Sequence, residues 1–335
     1  MNAHPLSLLQ RPPDLRRLLR AAAVAGGLAI LAAALSSGFN TAAAHAAPHS
    51  TDPGAGGYSF TQFRYPGEPS STRLLGINDH GVTIGDHGKA TDGLLLFPQS
   101  FIGVVGLRAF IDENGPVAHQ MFVNGINNDR TIVGSYVDQQ GEHGFLKPRY
   151  GDAITVDGPG GTTPAELRGI NDNGVAVGWF LDAQGQRSYV RQADGSLLEV
   201  IVPMPISQAT GINTRNTVVG FEQPSLGANT ASGYVVKDGV LIELNYPGST
   251  YTEALGVNNN DEVVGQYIDA QGATHGFLWR DGNFQPITYG NSTYTVVTGV
   301  NDSGRIVGFS QDDNGNFFGF LGDPLPAPQP VNPGY

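Results

Sequence analysis

Short apolar segments alternate with short polar turns along most of this chain. In one stretch, four such segments span Thr252–Val257, Glu262–Tyr267, His275–Trp279 and Phe284–Tyr289. The turns between them are rich in Asn, Asp and Gly, which accept the backbone angles of tight turns. Each connection is too short for a crossover helix, so neighbouring strands must run antiparallel. No segment after residue 47 has a convincing helical period, and we expect an all-β fold.

This four-segment unit occurs six times. A triplet of Gly, Ile or Val, and Asn marks each copy, and successive triplets are 49, 44, 42, 45 and 43 residues apart. The triplets begin at Gly76, Gly125, Gly169, Gly211, Gly256 and Gly299. Four antiparallel strands in a unit of about 40–45 residues are typical of a β-propeller blade. The first copy is the longest, with extra residues around 97–104.

The two ends of the repeat region indicate how the ring closes. Residues 58–67 resemble the fourth strand of a copy with its Pro-Gly turn, and the last copy ends after its third strand, Phe317–Leu321. We predict a six-bladed β-propeller of four-stranded antiparallel blades, closed when the N-terminal strand completes the last blade. An open β-solenoid is the alternative, but it would need no matching strand at its start. The predicted organisation is a linker over 47–57, the propeller over 58–323 and a Pro-rich tail over 324–335.

The first 46 residues have the three parts of an export signal. Four arginines precede a 15-residue apolar run, Ala21–Leu35, and Ala44–Ala46 offers a small-residue cleavage site. The alternative is a membrane anchor, but the run is shorter than the roughly 20 residues that span a bilayer. We therefore predict an exported protein, extracellular or periplasmic, with no stable membrane span after processing.

A family resemblance supports this location. The segments 125–146 and 256–278 carry the pattern Gly-Ile/Val-Asn, then Val-Gly with a nearby Tyr, then His-Gly-Phe-Leu, with the histidines at His143 and His275. Because of this pattern, the copies resemble the extracellular repeats of the HAF family, which is named for a His-Ala-Phe triplet. In this chain Gly replaces the Ala of that triplet, and four of the six copies lack the His. The resemblance spans about residues 58–321 and implies bacterial export, with no particular reaction or ligand.

The composition of the chain excludes several classes of function. The chain has no Cys, which excludes disulfides, thiol catalysis and thiolate metal sites. Its formal net charge of -12 argues against a nucleic-acid partner, because phosphate binding needs clustered Lys and Arg. No nucleophile elbow or phosphate-binding loop is present. We found no catalytic motif and therefore no catalytic residue to nominate.

Several repeated residues are candidates for a site. The triplet asparagines are expected chiefly to hold their own turns, although they could line one rim of the ring; they are Asn78, Asn127, Asn171, Asn213, Asn258 and Asn301. The aromatic residues that recur at fixed repeat positions, Trp179 and Phe180 among them, are expected chiefly to pack between blades. Adjacent residues of a strand face opposite sides, so one of these two, with Trp179 the candidate, could instead be exposed and stack on a sugar. Phe101, in the longer first copy, is a second binding candidate. No cofactor is expected, with one weak calcium candidate in the turn at Asp312, Asp313 and Asn314.

These observations favour an exported, non-catalytic propeller that acts as a binding or scaffold module, with a glycan or a cell-surface protein as partner. A secreted carbohydrate-active hydrolase or lyase is the first alternative, and it requires carboxylates from different blades to converge. A surface structural or adhesive protein is the second. Because one fold hosts many functions, the site must decide among them.

Overall fold

A computed structural model describes residues 57–65, 71–91, 94–104, 109–112 and 121–326. The predicted signal peptide, nearly all of the linker and residues 327–335 of the tail lie outside these residues. The described part of the chain forms 24 strands and no helix, in six four-stranded sheets. No helix that could cross a membrane occurs in it.

Each sheet is one blade. Blade 1 contains β2 (Thr72–Ile77), β3 (Val82–Thr91), β4 (Leu94–Val104) and β5 (Ala109–Asp112). Blade 2 contains β6 (Met121–Ile126), β7 (Ile132–Val137), β8 (Glu142–Lys147) and β9 (Ile154–Val156). Blade 3 contains β10 (Ala165–Ile170), β11 (Ala176–Asp182), β12 (Gly185–Arg191) and β13 (Leu197–Glu199). All their pairings are antiparallel.

The second half of the ring repeats this order. Blade 4 contains β14 (Ile206–Ile212), β15 (Val218–Gln223), β16 (Ser232–Lys237) and β17 (Val240–Leu244). Blade 5 contains β18 (Thr252–Val257), β19 (Val263–Ile268), β20 (Thr274–Arg280) and β21 (Asn283–Ile287). Blade 6 contains β22 (Thr295–Val300), β23 (Ile306–Gln311), β24 (Phe317–Pro324) and β1 (Tyr58–Phe63). The predicted six-bladed propeller of four-stranded antiparallel blades is confirmed.

The N-terminal strand closes the ring as predicted. Strand β1 pairs antiparallel with β24 from Tyr58↔Pro324 to Phe63↔Gly319, and it forms the outer edge of blade 6. Phe60 packs against Tyr289 and Phe320, with ring centroids 5.4 and 5.3 Å away. The first strands of blades 6 and 1 also meet, because Thr298 donates a hydrogen bond to the carbonyl of Leu74 at 2.9 Å. This ring closure excludes the open solenoid.

A glycine and an aromatic ring form the centre of most blades. The second strand carries Val-Gly or Ile-Gly, and the aromatic residue opposite on the third strand lies over that glycine. A Cβ on Gly265 would stand 2.8 Å from the ring of Phe277, and one on Gly134 would stand 3.0 Å from Phe145. Only glycine leaves room for the ring, which explains why the Gly recurs with the aromatic residue in the sequence.

Phe101 is the blade 1 member of this series, and its proposed role as a binding residue does not fit the structure. Its ring lies over Gly85, 2.7 Å from where a Cβ would be, and its side chain is 0% exposed. The extra length of the first copy made it difficult to align Phe101 with the third-strand aromatic residues of the other copies from the sequence alone. Its extra residues lengthen the β3–β4 hairpin, where Lys89 to Thr91 pair with Leu96 to Leu94.

Candidate functional site

The six triplet asparagines lie at the ends of the first strands and hold their turns. In every blade the side-chain Oδ1 accepts the backbone N–H of the residue four positions later, at 2.9–3.0 Å. This satisfies a donor inside the turn that no strand partner reaches. The turn role predicted for these asparagines is therefore confirmed.

The same asparagines also join the blades to one another. Each Nδ2 donates to the backbone carbonyl of the equivalent asparagine in the next blade, at 2.8–3.3 Å. The last step, from Asn301 to Asn78, returns to the first blade. The six bonds form a closed circuit around the axis, which we call the asparagine ring. All six side chains are buried.

A second circle of polar residues lies one position further along the chain. We call it the outer polar ring, and its members are Asp79, Asn128, Asp172, Thr214, Asn259 and Asp302. At five of six steps, the backbone N–H of one member donates to a side-chain oxygen of the next at 2.7–2.9 Å. The step from Asp172 to Thr214 lacks this bond, and Thr214 is the one member with a hydroxyl in place of a carboxylate or amide.

Together the two rings line a cavity on the propeller axis. Its volume is about 70 Å³, and three consecutive residues from every blade line it: Ile or Val, the ring asparagine, and the outer-ring residue. Asn128 donates from Nδ2 to Asp79 and Asp172 at 2.7 and 2.8 Å, and Asn259 donates to Asp302 at 2.8 Å. The axial cavity is thus a polar cup with three carboxylates held in place by amides.

Trp179 and Phe180 are both buried, as expected for core aromatics, and the binding role considered for Trp179 does not fit the structure. Trp179 is 1% exposed and Phe180 2% exposed. The two side chains project from opposite faces of β11, and Phe180 belongs to a hydrophobic cluster with Leu146 and Val156 of blade 2. The Trp179 indole N–H donates to Glu166 at 2.7 Å, inside the protein. Neither ring is open to a sugar in this structure.

The turn at Asp312 is an ordinary hydrogen-bonded turn. Its Oδ1 accepts the backbone N–H groups of Asn314 and Asn316 at 3.0 and 2.9 Å, and its Oδ2 pairs with Arg64 at 2.9 Å. Both oxygens are thereby engaged, while Asp313 and Asn314 are exposed to solvent. Within the described part of the chain, no three His, Asp or Glu side chains are close enough together to hold a metal ion.

The two repeat histidines lie apart, each against a turn carboxylate. His143 Nδ1 is 2.6 Å from Asp157, and its Nε2 is 3.2 Å from Asp138. His275 Nε2 is 2.8 Å from Asp269. Because blades 2 and 5 are not neighbours, these residues form two separate His–Asp contacts.

Sequence reasoning missed a set of buried polar residues on the first strands. Arg73 pairs with Asp86 through two nitrogens, at 2.9 and 2.5 Å. Glu253 accepts from Tyr251 and Gln266, each at 2.6 Å. A charged residue three positions before a triplet glycine, in an otherwise apolar strand, was the available signal.

One of these groups links carboxyls of two blades. Glu166 of blade 3 accepts from Asn124 of blade 2 at 2.6 Å, and Glu142 of blade 2 accepts from Ser135 at 2.9 Å. Burial, together with the neighbouring Glu166 carboxylate, raises the pKa of Glu142 to about 8. Glu142 therefore holds a proton at neutral pH. Glu166 is 4% exposed, so only Glu142 of this pair is partly open to solvent.

Comparisons with known proteins add the following. No family model and no curated protein matches the chain. A catalytically inactive virginiamycin B lyase from Staphylococcus aureus, determined with quinupristin, is 10% identical; the match covers 79% of this chain and 99% of that one, at a TM-score of 0.47. The β-propeller domain of the Trilobed protease from Pyrococcus furiosus is 10% identical, covering 76% and 93%, at 0.46. TolB from Acinetobacter baumannii is 9% identical, covering 68% and 60%, at 0.43. The fold assignment rests on the strand pairing above, and these similarities assign no ligand or reaction to this chain.

Proposed function

We propose that this chain is an exported binding or scaffold module that holds a polar ligand in the axial cavity. The observation that carries the proposal is the convergence of side chains from all six blades on one solvent-open cup. Carboxylate and amide groups fixed by their neighbours are suited to recognise hydroxyl or amino groups, because little side-chain freedom is lost on binding. The export-type N-terminus and the HAF-type repeats support a location outside the cytoplasm.

A glycan or a cell-surface protein is the partner class that we propose. The direct test is a glycan-array assay on residues 47–335, performed with calcium and again with a chelator. Binding to one sugar class supports the proposal, and a calcium requirement would revive the Asp312 turn as a site. A blank array moves the proposal to protein partners or to a structural, adhesive role. Release of cleaved sugar would instead support the hydrolase alternative.

The position of the site has its own test. Asp172→Asn removes one carboxylate from the axial cavity while keeping the size of the side chain. It also keeps the oxygen that accepts the Asn128 backbone N–H, but it loses the acceptor of the Asn128 Nδ2. We expect affinity for the array ligand to fall about tenfold, as for the loss of a charge-assisted hydrogen bond. The matched control is Asp313→Asn, an exposed carboxylate in the turn between β23 and β24. Equal affinities of the two variants would place the site elsewhere.

A further inference from the structure

Blade 4 carries a buried carboxylate at a position where no other blade has an acid. Two residues after the second-strand glycine, the other five blades have His87, Tyr136, Phe180, Tyr267 and Ser310. Here blade 4 has Glu222, which is 0% exposed. In blades 1 and 5 the residue at this position stacks on a tyrosine, with ring centroids 3.7 and 3.5 Å apart. A carboxylate cannot replace that contact, so Glu222 needs another explanation.

The hydrogen bonding of Glu222 is incomplete. Its Oε2 accepts the backbone N–H of Met204 at 2.7 Å, and its Oε1 has no hydrogen-bond partner. Burial raises the pKa of Glu222, the Met204 N–H lowers it, and the carboxylate of Glu243 raises it further. No Arg or Lys among the described residues forms a salt bridge with it. A buried charge without a partner is strongly destabilising, so such groups are normally paired, neutralised or bound to an ion.

Three hydroxyl groups of blades 3 and 4 lie near the Glu222 position in the sheet. In the β14–β15 pairing, Ser207 stands directly opposite Glu222. Ser207 Oγ lies 3.0 Å from Ser188 Oγ of blade 3, which in turn lies 2.9 Å from the hydroxyl of Tyr234. All three side chains are at most 2% exposed. The blade 3–blade 4 interface therefore holds three neutral hydroxyl oxygens beside one carboxylate.

A second unpartnered group lies on the facing side of blade 3. Gln186 is two residues from Ser188 on β12, so the two share a face of the sheet. Its side chain is 3% exposed, and its Nε2 has no hydrogen-bond partner. A half-turn of the amide would present the oxygen there instead, because the nitrogen has no bond to lose. The amide can thus supply another neutral oxygen ligand.

We propose that this pocket, formed by Glu222, Gln186 and the hydroxyls of Ser188, Ser207 and Tyr234, binds a small monovalent cation. One carboxylate balances one positive charge, and the remaining donors are neutral oxygens of the kind that hard cations prefer. Calcium sites usually combine several carboxylates, which this pocket does not have. Because all five side chains are at most 3% exposed, the cation must be small and largely dehydrated: sodium, potassium or ammonium.

Protonation of Glu222 is the competing way to neutralise it, and the geometry disfavours it. A protonated Oε1 would need a hydrogen-bond acceptor, and none lies within hydrogen-bond distance. The short bond from the Met204 N–H to Oε2 also favours the ionised form of the carboxyl group. A cation bound at Oε1 would both balance the negative charge of Glu222 and give this unpartnered oxygen a ligand.

The test compares thermal unfolding in choline chloride with that in sodium, potassium or ammonium chloride at equal ionic strength. For the wild type we expect at least one of the small cations to raise Tm by about 3 °C or more, increasing with its concentration as binding to the folded state requires. Glu222→Gln, which keeps the size of the side chain, should lose this response. Glu142→Gln, a change at another glutamate whose pKa is raised, should keep it.

Several results would overturn the proposal. These are equal Tm values for the wild type in all four salts, an equal response of Glu222→Gln, or a response confined to calcium in a separate calcium titration. Should Glu222→Gln fail to fold, thallium-soaked wild-type crystals decide, since thallium(I) replaces potassium and scatters anomalously. A peak between Glu222 and Ser207 supports the site, and its absence refutes it. The axial cavity plays no part here, so Asp172→Asn should respond like the wild type.

Discussion

At the residue scale, one asparagine per blade does two structural jobs. Asn171 accepts from the backbone N–H of Val175 with its oxygen and donates to the carbonyl of Asn213 with its nitrogen. No other side chain of this size offers an acceptor and a donor on the same planar group. Repeating the residue six times therefore builds both the turns and the links between blades.

These two functions can be separated by Asn171→Asp. The aspartate keeps the turn-holding oxygen but loses the donor, which leaves the buried Asn213 carbonyl facing a carboxylate. We expect the free energy of unfolding to fall by about 1–3 kcal/mol, the usual penalty for an unsatisfied buried group. Urea denaturation measures it as a lower midpoint with an unchanged slope. Asn314→Asp in an exposed turn should change the midpoint little; equal losses in both variants would contradict an inter-blade role.

Glu142 should make stability depend on pH. Its pKa is raised from 4.5 to about 8 in the folded protein, so between these values the folded state binds more protons than the unfolded state. The stabilisation is complete below about pH 4.5 and is lost as the pH rises towards 8. One pKa unit corresponds to about 1.4 kcal/mol, so an effect of at least about 1 kcal/mol is expected.

Glu142→Gln should remove this dependence. At pH 8 the variant should unfold at a higher temperature than the wild type, and the difference should shrink towards pH 5. Thermal unfolding between pH 5 and pH 8 provides the measurement. The exposed Glu243→Gln serves as control and should follow the wild-type curve. A Glu142→Gln curve parallel to the wild type would contradict the raised pKa.

At the element scale, the strands of each blade could be predicted from the sequence, but the burial of individual residues could not. The segments predicted at Thr252–Val257, Glu262–Tyr267, His275–Trp279 and Phe284–Tyr289 match β18 to β21 within two residues at each end. Turn chemistry and period-two patterning are local properties of the chain. Whether Trp179 is exposed depends on the neighbouring blade, about which a local pattern carries no information.

The packing of an aromatic ring over a glycine predicts a sensitive position in the blades that have it. A Cβ on Gly265 would stand 1.9 Å from the carbonyl oxygen of Glu253 and 2.8 Å from Phe277. Because a backbone atom cannot move aside cheaply, we expect Gly265→Ala to destabilise the fold by about 2 kcal/mol or more. Gly76→Ala is the control: its Cβ would meet the Ile84 side chain at 3.2 Å, and the nearest backbone atom, the carbonyl oxygen of Asn124, is at an ordinary contact distance of 3.8 Å. Chemical denaturation should show the larger loss for Gly265; similar losses would disprove this explanation.

At the scale of the whole molecule, the fold was predicted well and the site poorly. Ring closure was visible because residues 58–67 repeat a fourth-strand pattern found elsewhere in the chain. The outer polar ring was not visible, since Asp, Asn and Thr at its positions read simply as turn residues. The pocket at Glu222 arises only where two blades face each other. Such sites become recognisable once the ring has brought distant repeats together.

Ring closure by β1 can be tested by deleting residues 58–67. The deletion exposes the edge of β24 and removes the buried Tyr58 and Phe63. Each buried aromatic side chain contributes about 1.5–3 kcal/mol, so we expect Tm to fall by more than about 10 °C. Deleting residues 47–56 instead leaves every β1 pair intact and should leave Tm unchanged. An unaltered Tm after the 58–67 deletion would contradict closure by this strand.

The asparagine ring has a consequence for how such a protein can change over generations. Every joint between blades uses the same side chain in the same rotational sense, and the joint between the last and first blades is no exception. A duplicated or lost gene segment of one repeat would therefore add or remove a blade with its joint already complete. The size of the asparagine ring is set by the number of repeats. A relative with one blade more or fewer would therefore close its propeller with the same hydrogen bond between neighbouring blades.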